Sequence, residues 1–348
     1  MRVTTTVCRL AVLASVVMAT PMIATGQGRG NQWVQEATLT APDGPAGDDG
    51  ADVAIDGETV VVGASRAAVG GNTSQGAAFI HTRVFGTWIP TAQLTASGGA
   101  AGDEFGYSVA IANDTIVVGA RYTDVNGKSD QGAAYVFTQT SGMWTQTAVL
   151  TAPNGAAGDY FGTAVAIDGN TIVVGAEWSA GCVGEPPCGG FRATGTAHVF
   201  TEADGVWTEA ATLAASNGHS GGFFGKSVGI DGNTIVVGAW GTGGSGAAYV
   251  FTRTGSAWTE TAELSGATDG FGWSVAIDGG TVVVGAPNFD TGALQNFVPP
   301  EGEVGTRLVS SVFFGPQAYV FTQTGCAWTE TATLVAPSDW FAPAFGRS

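Results

Sequence analysis

Basic residues are scarce in this chain. Its 348 residues hold 12 Lys and Arg against 29 Asp and Glu, for a formal net charge of −17. So acidic a body repels phosphate backbones, which excludes non-specific nucleic-acid binding. No basic stretch draws it to an anionic membrane either. Charged residues of both signs make up only 12% of the sequence, about half the usual share, so Ser, Thr, Gly and Asn must carry much of the surface.

Histidine and cysteine are nearly as rare. No G-x-S-x-G, H-E-x-x-H or paired-His motif occurs. Two of the three His, His81 and His198, fall in a repeated strand where sister copies have Tyr, which reads as structural substitution. A Ser/His/Asp cluster assembled from separate segments stays open, because triads are defined by geometry. Of the four Cys, Cys182 and Cys188 bracket a short loop segment and are expected to form a disulfide in an oxidising compartment. Zinc there would lack its other ligands. Cys326 reads as a small buried hydrophobe.

Long apolar runs are also missing. The nearest is Leu10 to Met18, behind Arg2 and Arg9, and it is too short to span a bilayer. With the small residues that follow, residues 1–26 read as a secretory signal, with residues 27–32 as a polar leader. The expectation is a secreted or cell-surface protein with no membrane span.

What the chain does have is one phrase in several copies. Phe105–Ala120 reads F-G-Y-S-V-A-I-A-N-D-T-I-V-V-G-A and returns at Phe161–Ala176, Phe224–Ala239 and Phe271–Ala286, with a worn copy at Asp49–Ala64. Period-2 alternation marks the first half as a strand, and the β-branched T-I-V-V run suits a strand covered on both faces. A second phrase, A-Y-V-F, or a variant of it as at Gly76–Thr82 and Gly195–Thr201, follows in each unit. A third, W-T-x-T-A-x-L, starts at Trp33, Trp88, Trp144, Trp207, Trp258 and Trp328. Its Trp, Ala and Leu are spaced to share one strand face.

Each unit therefore holds four short antiparallel strands, and repetition at this period predicts an all-β fold, a β-propeller with one blade per unit. Five units are complete. Trp33–Leu39 and Phe345-Gly346-Arg347-Ser348 read as the outer and inner pieces of a partial sixth, so residues 33–348 are expected to form one propeller, truncated within its last blade. Asp-Gly or Asn-Asp pairs close the first hairpin of each unit, and their carboxylates read as turn chemistry.

The F-G-x-S-V-A-I strand followed by V-V-G-A resembles the FG-GAP repeat of integrin α-subunit propellers and of many exported bacterial proteins. That resemblance implies a propeller whose face near the axis is the contact surface. It also brings calcium loops between strands one and two. Here those loops are tight turns that lack calcium's six or more oxygens, so the family's calcium sites are not carried over.

Antiparallel order places the variable loops on one face. Arg121, Tyr122, Trp178, Trp240, Asn288 and Phe289 open these loops and are the candidate ligand-binding residues. They could equally cover the channel mouth or pack between blades. The Asp of the recurrent Gly-Asp, as at Asp103 and Asp159, is expected to accept hydrogen bonds from its own loop, with a cation-attracting ring as the alternative. Asp124, Asn126 and Asp130 form the one run resembling a calcium loop, without its closing Glu. No cofactor is implied otherwise.

Three functions fit. The first is a non-enzymatic exported binding or adhesion module with an extracellular protein or glycan as partner. The second is a hydrolase or lyase working at the propeller mouth. The third is a purely structural repeat array of a surface protein.

Overall fold

A computed structural model of the chain describes residues 37–39, 52–179, 194–218, 221–287 and 317–335. Every regular element in them is a strand, and no helix occurs. Blade one comprises β1 (Val53–Asp56), β2 (Thr59–Ala64), β3 (Ala77–Val84) and β4 (Thr87–Leu94). Blade two holds β5 (Ser108–Ala112), β6 (Thr115–Ala120), β7 (Ala133–Thr140) and β8 (Met143–Leu150). Blade three has β9 (Phe161–Asp168), β10 (Thr171–Ala176), β11 (Thr196–Ala203) and β12 (Val206–Leu213). Blade four has β13 (Phe224–Asp231), β14 (Thr234–Ala239), β15 (Ala247–Thr254) and β16 (Ala257–Leu264). Blade five has β17 (Ser274–Asp278), β18 (Thr281–Ala286), β19 (Gln317–Thr324) and β20 (Ala327–Val335). Each is a four-stranded antiparallel sheet in sequence order, the β-propeller arrangement. Of the pieces expected for a sixth blade, only Ala37–Leu39 is described, and it is not a strand; 33–36 and 345–348 lie outside the described residues.

The core lies between blades. Ile80 and Leu94 of blade one meet Phe105, Ile116, Tyr135 and Phe137 of blade two, and three further interfaces repeat this set. The middle strands are buried on both faces, as their apolar runs predict: Val61, Val117, Val173 and Val236 are fully enclosed. The Phe of each F-G pair sits at the seam, its ring against its own blade's third strand and its backbone bridged to the preceding blade. Gly132, at φ +85°, bridges in parallel to Phe161, and the same bridge joins Gly76 to Phe105, Gly195 to Phe224 and Gly246 to Phe271. Polar groups also cross the interfaces: the Ser108 hydroxyl donates to the Gly162 carbonyl at 2.8 Å.

Four sequence expectations need correction. The Trp of the outer strand does not share a face with its Ala and Leu. Trp144 packs on the blade one–two core, whereas Ala148 and Leu150 pack on the blade two–three core. A register shift between Val136 and Phe137 leaves Thr147 as an extra residue and reverses the alternation. Its hydroxyl donates to the Val136 carbonyl at 3.4 Å, and the shift recurs in every blade.

The hairpin carboxylates do more than make turns. Asp56 accepts the Asn113 N–H of the next blade at 2.6 Å, Asp168 accepts that of Gly232 at 2.7 Å, and Asp231 that of Gly279. In blade two Ala112 stands at this position, so the clamp to blade three is missing. His198 occupies the Tyr position, but His81 pairs with Val60 as Phe137 pairs with Ile116, and so replaces Phe. Cys326 is exposed, because it lies in the β19–β20 turn.

Blade five ends the described array with an uncovered face. Leu334 is 49% exposed, whereas Leu94, Leu150, Leu213 and Leu264 are 3–4% exposed. Val283 and Val320 are likewise part-exposed where their sisters are buried.

One position titrates against the fold. Asp52 stands where blades two, four and five have Ser108, Ser227 and Ser274. Its carboxylate accepts the Val109 N–H of blade two at 2.7 Å and its own Val53 N–H at 3.0 Å. Burial outweighs these bonds and pushes its pKa up to about 6. Below about pH 4 the carboxyl is protonated folded or unfolded and costs nothing. As pH rises through about 6 the folded protein must hold a charge it disfavours, so this stability is lost. The shift corresponds to at most about 3 kcal/mol, less because the side chain keeps some exposure. Asp52→Ser is expected to raise stability at pH 7 by about 1–2 kcal/mol and to flatten the pH 4–6 slope, read by urea unfolding across pH.

Candidate functional site

β6, β10 and β14 each end in Gly-Ala at one rim of the propeller, and the next one or two residues are Arg121 and Tyr122, Glu177 and Trp178, or Trp240. The F-G turn of each blade reaches the same rim. The residue before the Phe is Glu104, Tyr160 or Phe223, with φ of +55°, +56° and +52°. This left-handed backbone lets the Phe enter the core between blades while the side chain before it stays at the rim.

The two sets interleave into a ladder of rings. Tyr122 meets Tyr160 edge-on at 5.1 Å, Tyr160 meets Trp178 at 5.9 Å, and Trp178 meets Phe223 at 5.1 Å. Phe223 stacks flat on Trp240 at 4.7 Å, and Trp240 meets Trp273 at 5.4 Å. The row therefore crosses blades two to five. These are favourable ring geometries, worth about 0.5–1.5 kcal/mol per pair beyond area burial.

Two cations sit on it. The Arg121 guanidinium lies 3.6 Å from the Tyr107 ring centre and 4.5 Å from that of Tyr122, and it pairs with Glu104 at 2.9 Å. The Lys226 ammonium lies 4.6 Å from the Trp273 ring and 3.6 Å from the Glu177 carboxylate of the neighbouring blade. Glu177 is buried, and burial pushes its pKa up against the pull of Lys226 and Arg121.

The four described candidates, Arg121, Tyr122, Trp178 and Trp240, thus come together. Asn288 and Phe289 lie outside the described residues, as do Cys182 and Cys188. Sequence reasoning missed Tyr107, Tyr160, Phe223, Lys226 and Trp273. The signal was present: these positions flank each F-G pair and vary from copy to copy within an otherwise repeated phrase.

Asp124, Asn126 and Asp130 lie on the β6–β7 loop of blade two, the loop that Arg121 and Tyr122 open. The Asp124 carboxylate accepts the Asp130 N–H at 3.0 Å across a tight turn closed between Val125 and Lys128. Asp103, Tyr122, Asp124 and Asp130 line a cleft of about 420 Å³ that opens beside the ladder. Among the described residues no group of three or more His, Cys, Asp or Glu is arranged to hold a metal ion. Asp103 and Asp159 bond their own loops, accepting the Ala100 N–H at 2.8 Å and the Ala156 N–H at 2.6 Å. Burial raises both carboxyls.

Blade three holds a relay of catalytic residue types. His198 Nδ1 lies 2.7 Å from Glu209, its Nε2 3.1 Å from the Thr196 hydroxyl, and Thr196 2.7 Å from the Ser179 hydroxyl. The His198 hydrogen bond holds the Glu209 carboxyl below its usual range. Yet Ser179, Thr196 and His198 are only 7–8% exposed, too enclosed to meet a substrate. His198 makes the kind of buried bond its sister Tyr249 makes to Asn217 at 2.6 Å, so the relay is structural.

Fold and rim together define a repeat-built β-propeller with an aromatic mouth. The chain belongs to the FG-GAP repeat family, which it matches at residues 33–81, 88–137, 144–200, 207–251 and 258–296. Each match begins at the Trp of the third repeated phrase, and the first four end in the third strand of a blade, so one sequence repeat straddles two blades. No curated protein matches the chain.

Proposed function

We propose that the chain is an exported, non-enzymatic binding module that meets an extracellular partner, protein or glycan, with the aromatic mouth of its propeller. The secretory character of residues 1–26 and the low, acidic charge support export. The observation that carries the binding role is the placement of Tyr160 and Phe223. Both are held at positive φ, where blade five has Gly270 at +81°. A bulky residue in that conformation costs roughly 1 kcal/mol or more, and the return is a ring in the mouth. Cys182 and Cys188 would be bridged in the oxidising compartment, and calcium at Asp124, Asn126 and Asp130 is an addition this reading does not need.

The test compares the two rims. Trp240→Ala alters the mouth, whereas Phe85→Ser alters the fully exposed β3–β4 turn on the opposite rim. Binding to a panel of immobilised matrix proteins and glycans should fall about tenfold or more with Trp240→Ala and stay unchanged with Phe85→Ser. Equal effects would sink the reading. A hydrolase or lyase at the mouth draws support from one group, the raised Glu177 carboxyl, and would require turnover that Glu177→Gln abolishes.

A further inference from the structure

We propose that the ladder binds a neutral oligosaccharide chain laid across the rings from Tyr122 to Trp273, a proposal that rests on the mouth being the binding face. Three features select this ligand class.

The first is the bookkeeping of charge. Arg121 is taken up by Glu104 and by the faces of Tyr107 and Tyr122. Lys226 is taken up by Glu177 and Trp273. The two cations on the ladder are thus committed to carboxylates of the same chain, Glu104 and Glu177. An anionic ligand would have to displace a protein carboxylate. A cationic one would meet Arg121 and Lys226, already seated on the Tyr122 and Trp273 faces that end the row. A neutral ligand meets neither cost.

The second is the surface that remains. Trp178 is 38% exposed, and Tyr160, Phe223, Trp240 and Trp273 are part-exposed. Rings with apolar faces and occasional O–H or N–H edges match a pyranose, which has C–H faces and a rim of hydroxyls.

The third is extent. The ring contacts run unbroken from blade two to blade five. A single small molecule would cover two or three rings. A linear chain of sugar units uses the row, and its affinity grows with length.

Isothermal titration of the secreted protein tests this with cellohexaose, chitohexaose and xylohexaose as neutral probes, polygalacturonate and heparin as charged ones, and collagen and fibrinogen as protein probes. One neutral hexasaccharide is expected to bind, its trisaccharide at least about tenfold more weakly. Affinity should change less than about twofold between low and high salt, because no ion pair forms. Trp178→Ala should weaken binding about tenfold or more while the variant stays folded, its melting temperature lowered only by the loss of two ring contacts. If a charged or protein probe binds instead and Trp178→Ala abolishes it, the mouth stands and the ligand class is overturned. If binding responds to Phe85→Ser and not to Trp178→Ala, both fall. If no neutral hexasaccharide binds, the ligand class is overturned.

Discussion

Gly132→Ala is expected to cost upward of about 4 kcal/mol in unfolding free energy, among the largest effects a single methyl group can have. Two causes add. Gly132 has φ +85°, and an L side chain there is strained by roughly 1 kcal/mol. A Cβ at this position would also overlap the backbone oxygen and nitrogen of Phe161. Those atoms belong to the next blade and form the parallel bridge that seats it, so they cannot move aside without separating blades two and three. Gly127 separates the two causes. It has φ +78° but open space around it, so Gly127→Ala carries the strain alone. Urea unfolding should show a loss of about 1 kcal/mol for Gly127→Ala and several times that for Gly132→Ala. Equal losses would mean that the Gly–Phe bridge does not hold the blades together.

The propeller was legible because its signal is repeated. Any one copy of T-I-V-V-G-A could be a buried strand in many folds; a recurrent set of four strands narrows the choice. Single-residue irregularities were hidden. The bulge at Thr147 adds one residue to the outer strand, and in a structure of period two that moves Trp144 to the opposite face. Spacing alone counts residues and cannot see which are unpaired. The clamps from Asp56, Asp168 and Asp231 were hidden for another reason: Asp before a turn Gly already has a sufficient local explanation, and the partner N–H lies one blade away.

The mouth was half legible on the same grounds. Arg121, Tyr122, Trp178 and Trp240 stand just after the repeated Gly-Ala, where copies visibly diverge. Tyr160, Phe223 and Trp273 are embedded in the F-G phrase and looked like scaffold. Their exposure at the rim depends on a left-handed residue before the Phe or on the short turn after it, which the sequence does not announce. The ladder itself emerges only when blades pack side by side, since Tyr122–Tyr160, Trp178–Phe223 and Trp240–Trp273 join residues of neighbouring blades.

Phe224→Ala carries the other large expected effect, about 3–5 kcal/mol. The ring is 1% exposed and lies against Tyr249 and Phe251 at 5.6 and 5.9 Å. It is held in a cluster with Val199 and Leu213 of blade three. The void left by its removal lies between rigid sheets that cannot collapse into it. Its place in the array decides the form of the loss. Blades touch mainly their sequence neighbours, so stability is close to a sum of blade terms and interface terms. Phe224 serves the interface between blades three and four, with neighbours on both sides. Weakening it should let blades one to three and blades four to five unfold separately, and calorimetry should show a broadened or split transition. Phe271→Ala makes the same chemical change at the interface between blades four and five. There only blade five is released, so the main transition should keep its sharpness and lose only part of its enthalpy. If both variants instead give one sharp transition at a lower temperature, the blades unfold as a single cooperative unit and the interfaces are coupled beyond nearest neighbours.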